Sequence, residues 1–96
     1  MQKAIRVIVS GRVQGVGYRM FAVEHALQLD LTGWVRNLYD GTVEALAEGN
    51  EKDLISYLAE LETGPGGSRV MNCKVEWLPY SGNHSTFQVR STWISD

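Results

Sequence analysis

Cysteine, long apolar runs and a surplus of basic charge are what this 96-residue chain has little of. Its one cysteine, Cys73, cannot close an internal disulfide, so stability has to come from packing. One cysteine builds no zinc site, and His25 and His84 have no partner at metal-ligand spacing, so no metal is expected. No stretch approaches the roughly 20 apolar residues that cross a bilayer, and no membrane role is expected. Met1-Gln2-Lys3-Ala4-Ile5-Arg6 has neither the apolar core nor the cleavage site of a secretory signal, which makes the cytoplasm the expected compartment. A net charge of −2 gives no electrostatic case for nucleic acid. Low-complexity segments, repeats and long linkers are missing too. With 44% hydrophobic and 21% charged residues, the composition is that of an ordinary globular protein, expected to form a single domain over residues 1–96.

The charge that is present is unevenly placed. Residues 1–37 hold five basic groups (Lys3, Arg6, Arg12, Arg19, Arg36) and two acidic ones (Glu24, Asp30), while residues 38–96 hold four basic and nine acidic groups. The positive segment is expected to steer a small anion toward whatever site it contains, with Arg12 and Arg36 adding to its field.

Periodicity supplies the elements. Residues 4–10 alternate as a strand with Ile5, Val7 and Val9 on one face. Arg19 to about Leu29 reads as a helix whose apolar side is Phe21, Ala22, Val23, Ala26, Leu27 and Leu29. Residues 32–37 and 42–48 read as strands, and Asp40-Gly41 between them signals a hairpin turn. Asn50 is placed to cap a second helix, with Asp53 as a weaker capping-box partner and Leu54, Ile55, Leu58 and Leu61 as its buried stripe. Gly64-Pro65-Gly66-Gly67 stops it. Residues 70–78 form a fourth strand with Met71, Cys73, Val75 and Trp77 alternating, and residues 86–90 a short fifth. The order β-α-β-β-α-β plus a short strand predicts an α+β fold: a ferredoxin-like, split βαβ sandwich, two helices on one face of an antiparallel or mixed sheet, with right-handed crossovers. That architecture hosts many functions and decides none.

The chemistry lies in Gly11-Arg12-Val13-Gln14-Gly15-Val16-Gly17-Tyr18-Arg19, between the first strand and the first helix. A glycine-rich turn into a helix leaves backbone N–H groups unpaired at its positive end, which suits a phosphate or another small oxyanion. A guanidinium at the edge grips the same anion through two parallel bonds. Gln14, Gly15, Val16, Gly17 and Tyr18 are the candidate main-chain donors, and Arg19 the candidate charge. The nucleotide loop Gly-x-x-x-x-Gly-Lys-Ser/Thr does not fit this spacing. The dinucleotide fingerprint fails because Met20 stands where its last glycine belongs.

Two stretches together, Gly11-x-Val13-Gln14-Gly15-Val16-Gly17-Tyr18-Arg19-x-Phe21 and Gly33-Trp34-Val35-Arg36-Asn37-x-x-Asp40-Gly41-x-Val43-Glu44, resemble the acylphosphatase family. The resemblance extends over nearly the whole chain, through Gly64-Pro65, Ser68-Arg69-Val70 and Phe87-x-Val89-Arg90. It implies hydrolysis of the carboxyl-phosphate bond of small-molecule acyl phosphates, with Arg19 binding phosphate and Asn37 positioning the attacking water. It also implies that no metal, cofactor or covalent phosphoenzyme takes part. A monomer is expected.

The remaining residues have blander readings. Gln14 is read as shaping the loop, Tyr18 and Phe21 as packing, and Asp40 and Gly41 as turn chemistry. Cys73 is read as an inert core thiol, and Trp34 and Trp77 as core or helix-covering aromatics. Trp93 lies in the tail of residues 92–96, to which no role is assigned. Two rival functions share this fold. One is a non-catalytic module that binds phosphate or an acyl phosphate. The other is RNA binding, which wants aromatic and basic residues on the central strands; Glu44 and Glu48 on the third strand count against it.

Overall fold

A computed structural model describes residues 1–92; Trp93 and the rest of the tail lie outside the described residues. The elements are β1 (Gln2–Arg12), α1 (Tyr18–Gln28), β2 (Thr32–Asn37), β3 (Val43–Asn50), α2 (Glu51–Thr63), β4 (Arg69–Leu78) and β5 (Phe87–Val89). They form one sheet in the order β4-β1-β3-β2-β5. β3 runs antiparallel to both β1 and β2, β4 is antiparallel to β1, and β5 is parallel to β2. The sheet is therefore mixed, and β1 and β2 run in the same direction on either side of β3. This is the ferredoxin-like arrangement.

Period-two alternation sorts the strands into two faces. Ile5, Val7, Val9, Val35, Val43, Ala45 and Ala47 are buried in one cluster with Ala22 and Ala26 of α1 and Leu54, Tyr57 and Leu61 of α2. Two phenols tie the helices together across this core. Tyr18 donates to the Leu61 carbonyl at 2.7 Å, and Tyr57 donates to the Ala22 carbonyl at 2.8 Å. Tyr18 is thus a packing residue, as expected.

Local signals behave as their chemistry dictates. The Asn50 side chain caps α2 by accepting from Lys52 N–H at 3.0 Å, and Gly64 ends the helix. Asp53 makes no reciprocal bond among the described residues. In the hairpin turn, Asp40 accepts from both the Thr42 N–H and hydroxyl, at 3.0 and 2.6 Å.

Three apolar assignments need correction. On α2, Ile55 is 53% exposed while Tyr57 is fully buried, because the stripe runs 54, 57, 58, 61 rather than through 55. On α1, Leu27 faces solvent. On β4, the register against β1 slips between Ser10 and Gly11, so that Gly11 opposes Val70 where unbroken pairing would place Met71. The extra residue turns Met71 outward and Val70 toward the core.

Candidate active site

β1 hands the chain to α1 through residues 13–17, and the backbone there alternates in handedness. Gly15 has φ +73° and Gly17 has φ +80°, whereas Gln14, Val16 and Tyr18 have negative φ. Alternation of this kind turns successive N–H groups toward one concave side. A side chain at Gly15 or Gly17 would meet no atom within 4 Å, so torsion rather than crowding makes these positions glycine. Val13, buried, pins the start of the loop. From Gln14 to Arg19, no main-chain N–H finds an acceptor among the described residues; the first to do so is Phe21, which bonds Gly17 at 3.1 Å. Gly17 caps α1 without a side chain, and the first turn carries no acidic residue. The positive end of α1 is left open where an anion would sit.

Arg19 is the second residue of α1, half-buried, and its guanidinium makes no ion pair or hydrogen bond with any described residue. Asn37 closes β2. Because β1 and β2 both run antiparallel to β3, Val9 and Asn37 stand opposite the same residue, Val43. Two strand spacings of about 4.8 Å thus separate Asn37 from β1, on the face that carries α1. The Asn37 carboxamide oxygen is buried, and no described group donates to it. Such an orphan acceptor costs about 1–3 kcal/mol.

The side chain of Gln14 joins these two parts. Its Nε2 donates to the Leu38 carbonyl at 2.9 Å and to the Thr42 carbonyl at 2.8 Å. The anion loop is therefore held directly against the hairpin that follows Asn37. Composition and spacing place Gln14 in the loop, but they do not reveal this reach across 24 and 28 residues.

Folding largely dissolves the charge asymmetry seen along the chain. Glu44, 2% exposed, receives Arg6 at 2.6 Å on one oxygen and Arg36 at 2.6 Å on the other, on the sheet face away from the helices. Lys3 pairs with Glu51 at 3.0 Å. Arg36 is thus spent on Glu44 instead of adding to the field at the loop. Trp34 shares that outer face: it is buried, but beneath the guanidiniums of Arg36 and Arg90, 4.6 and 4.8 Å from its ring centre, not in the helix-side core. Trp77 is 45% exposed on the edge strand β4 with the Lys3 ammonium 5.8 Å from its ring centre, so it is not a core residue. Cys73 is only half-buried on that strand. Burial and the nearby Glu62 charge both push its thiol up, which favours the protonated form.

Known proteins resemble this chain in both sequence and fold. Residues 5–89 match the family model described as Acylphosphatase. The chain is 48% identical over 88 residues to an acylphosphatase of Koribacter versatilis, covering 92% of this chain and 80% of that one. It is 46% identical to that of Syntrophotalea carbinolica, covering 90% and 94%. The crystal structure of acylphosphatase from Bacillus subtilis superposes with a TM-score of 0.89 at 40% identity, over 94% of this chain and 99% of that chain. By sequence and by fold, the chain belongs to the acylphosphatase family.

Proposed function

We propose that the protein hydrolyses the carboxyl-phosphate bond of small acyl phosphates, releasing a carboxylate and inorganic phosphate, and that it works as a monomer in the cytoplasm without a metal. The leaving carboxylate is a weak base and needs little protonation, so positioning and electrostatic stabilisation suffice. The N–H groups of residues 14–18 hold the phosphoryl oxygens. Arg19 adds a permanent charge and two parallel donors as negative charge redistributes. Asn37 accepts a hydrogen bond from the attacking water and aims its oxygen in line with phosphorus. The torsion that turns its carboxamide is broad and two-fold, so the shielded oxygen can swing to meet that water at little cost. The water's proton passes to a phosphoryl oxygen of the substrate.

One observation carries this reading: main-chain donors and a guanidinium that no described residue pairs share the start of α1, and the Asn37 oxygen, to which no described group donates, precedes the hairpin turn bound to the same loop. Acetyl phosphate or benzoyl phosphate hydrolysis by the purified protein tests it. Arg19→Ala should remove nearly all turnover and weaken inhibition by inorganic phosphate. Asn37→Ala should lower kcat by about 100-fold or more while phosphate still binds. Wild-type turnover in both variants would refute these roles.

A further inference from the structure

Gln14 is the one residue that belongs to both halves of the site. Its N–H is the first of the unpaired donors, and its carboxamide spends both protons on the hairpin after Asn37. Those two carbonyls are not spare. Leu38 O already accepts from Gly41 N–H at 3.2 Å, and Thr42 O from Leu38 N–H at 2.9 Å. The Gln14 amide therefore adds a second donor to each of the two carbonyls that close the turn, and so couples the loop to the turn as one body. Leu38 directly follows Asn37, so fixing its carbonyl fixes the peptide plane that begins one residue beyond the Asn37 Cα.

We infer that the Gln14 carboxamide is a positioning residue for the hydrolytic water: it holds Asn37 in register with a phosphoryl group bound on the loop. The inference rests on the role proposed above for Asn37. Main-chain donors bind the phosphate whatever stands at the tip of this side chain, so losing the clasp leaves phosphate affinity and removes alignment. A displacement on the order of 1 Å at a reacting atom is enough to slow chemistry by about 100-fold.

Gln14→Met keeps the length of the side chain and removes both donors. Gln14→Glu keeps its shape but presents oxygen to the two carbonyls. Both should lower kcat by roughly 10- to 100-fold while KM and the inhibition constant for inorganic phosphate change less than about threefold. Retained phosphate inhibition also reports that the variant is folded; should Gln14→Met not fold, Gln14→Glu carries the test. The decisive measurement is a double-mutant cycle. In an Asn37→Ala background, Gln14→Met should change kcat by less than about twofold, because the group it positions is gone. Full kcat in either Gln14 variant, or losses that multiply with Asn37→Ala, would overturn the inference. If Asn37→Ala alone keeps wild-type turnover, the water-positioning role of Asn37 fails first, and the two failures are told apart.

Discussion

Replacing Arg19 by alanine should cripple the enzyme and make the protein more stable. Arg19 stands in the first turn of α1, where unpaired N–H groups give the helix its positive end and no acidic residue offsets it. A cation there works against the helix dipole by about 0.3–1 kcal/mol. Alanine also has the higher helix propensity, by a few tenths of a kcal/mol. Because no described residue pairs with the guanidinium, its removal strands no carboxylate. The sum is a gain of roughly 0.5–1 kcal/mol, which for a chain of this size raises Tm by about 2–8 °C. Activity moves the other way. Two charge-assisted bonds at about 1.5–3 kcal/mol each correspond to a loss of roughly 10²- to 10⁴-fold in kcat/KM. Calorimetry with and without inorganic phosphate checks both sides at once. Phosphate at 100 times its Kd stabilises the wild type by about 2.7 kcal/mol, and the variant should show much less of that shift at the same concentration. A variant that melts several degrees lower and keeps its full phosphate-induced shift would show Arg19 to be a structural residue.

Other perturbations give distinct signatures. Asn37→Ala removes a buried oxygen that no described group satisfies, so thermal unfolding should show stability unchanged or raised by about 1 kcal/mol, in contrast to its loss of turnover. Glu48, 3% exposed, holds the β4–β5 connection by accepting from Ser81 N–H and hydroxyl and from Gly82 N–H at 3.0, 2.7 and 3.0 Å. Burial pushes its carboxyl up, but these bonds and the nearby His84 outweigh it, leaving the group below its usual range. A depressed folded value means stabilisation that is complete above the ordinary value of 4.5 and lost as pH falls through the folded one. Denaturant titrations from pH 7 to 3 should therefore show the stability advantage of wild type over Glu48→Gln shrinking on the acid side. A constant advantage across that range would refute the anchoring role.

How much of this could be read from residues alone depended on how far each interaction reaches. The bounds of β2, the Asn50 cap, the Asp40 turn and the glycine-rich turn into α1 are set within four residues, and the sequence reading locates each. The Met71 bulge is decided by where β1 and β4 meet, and the alternation of β4 alone argues for the wrong face at that point. Cys73, Val75 and Trp77 do share a face, but they lie on an edge strand that the helices only partly cover. Choosing Tyr57 over Ile55 needed the direction in which α2 lies on the sheet. Glu44 brings together Arg6 and Arg36, one on each neighbouring strand, so a charge imbalance read linearly said little about the field at the loop. In the site, the glycine loop was legible because it is local; the clasp by Gln14 was not, because its acceptors are anonymous carbonyls.

Torsional sign at two glycines has a consequence for chirality. Alanine at position 17 would have to hold a left-handed conformation at a cost of about 1 kcal/mol or more, and would loosen the cradle in proportion. Its mirror image, D-alanine, prefers that same region. A semisynthetic protein carrying D-alanine at residue 17 should thus grip inorganic phosphate as tightly as the natural chain, or tighter, with the L-epimer weaker than both.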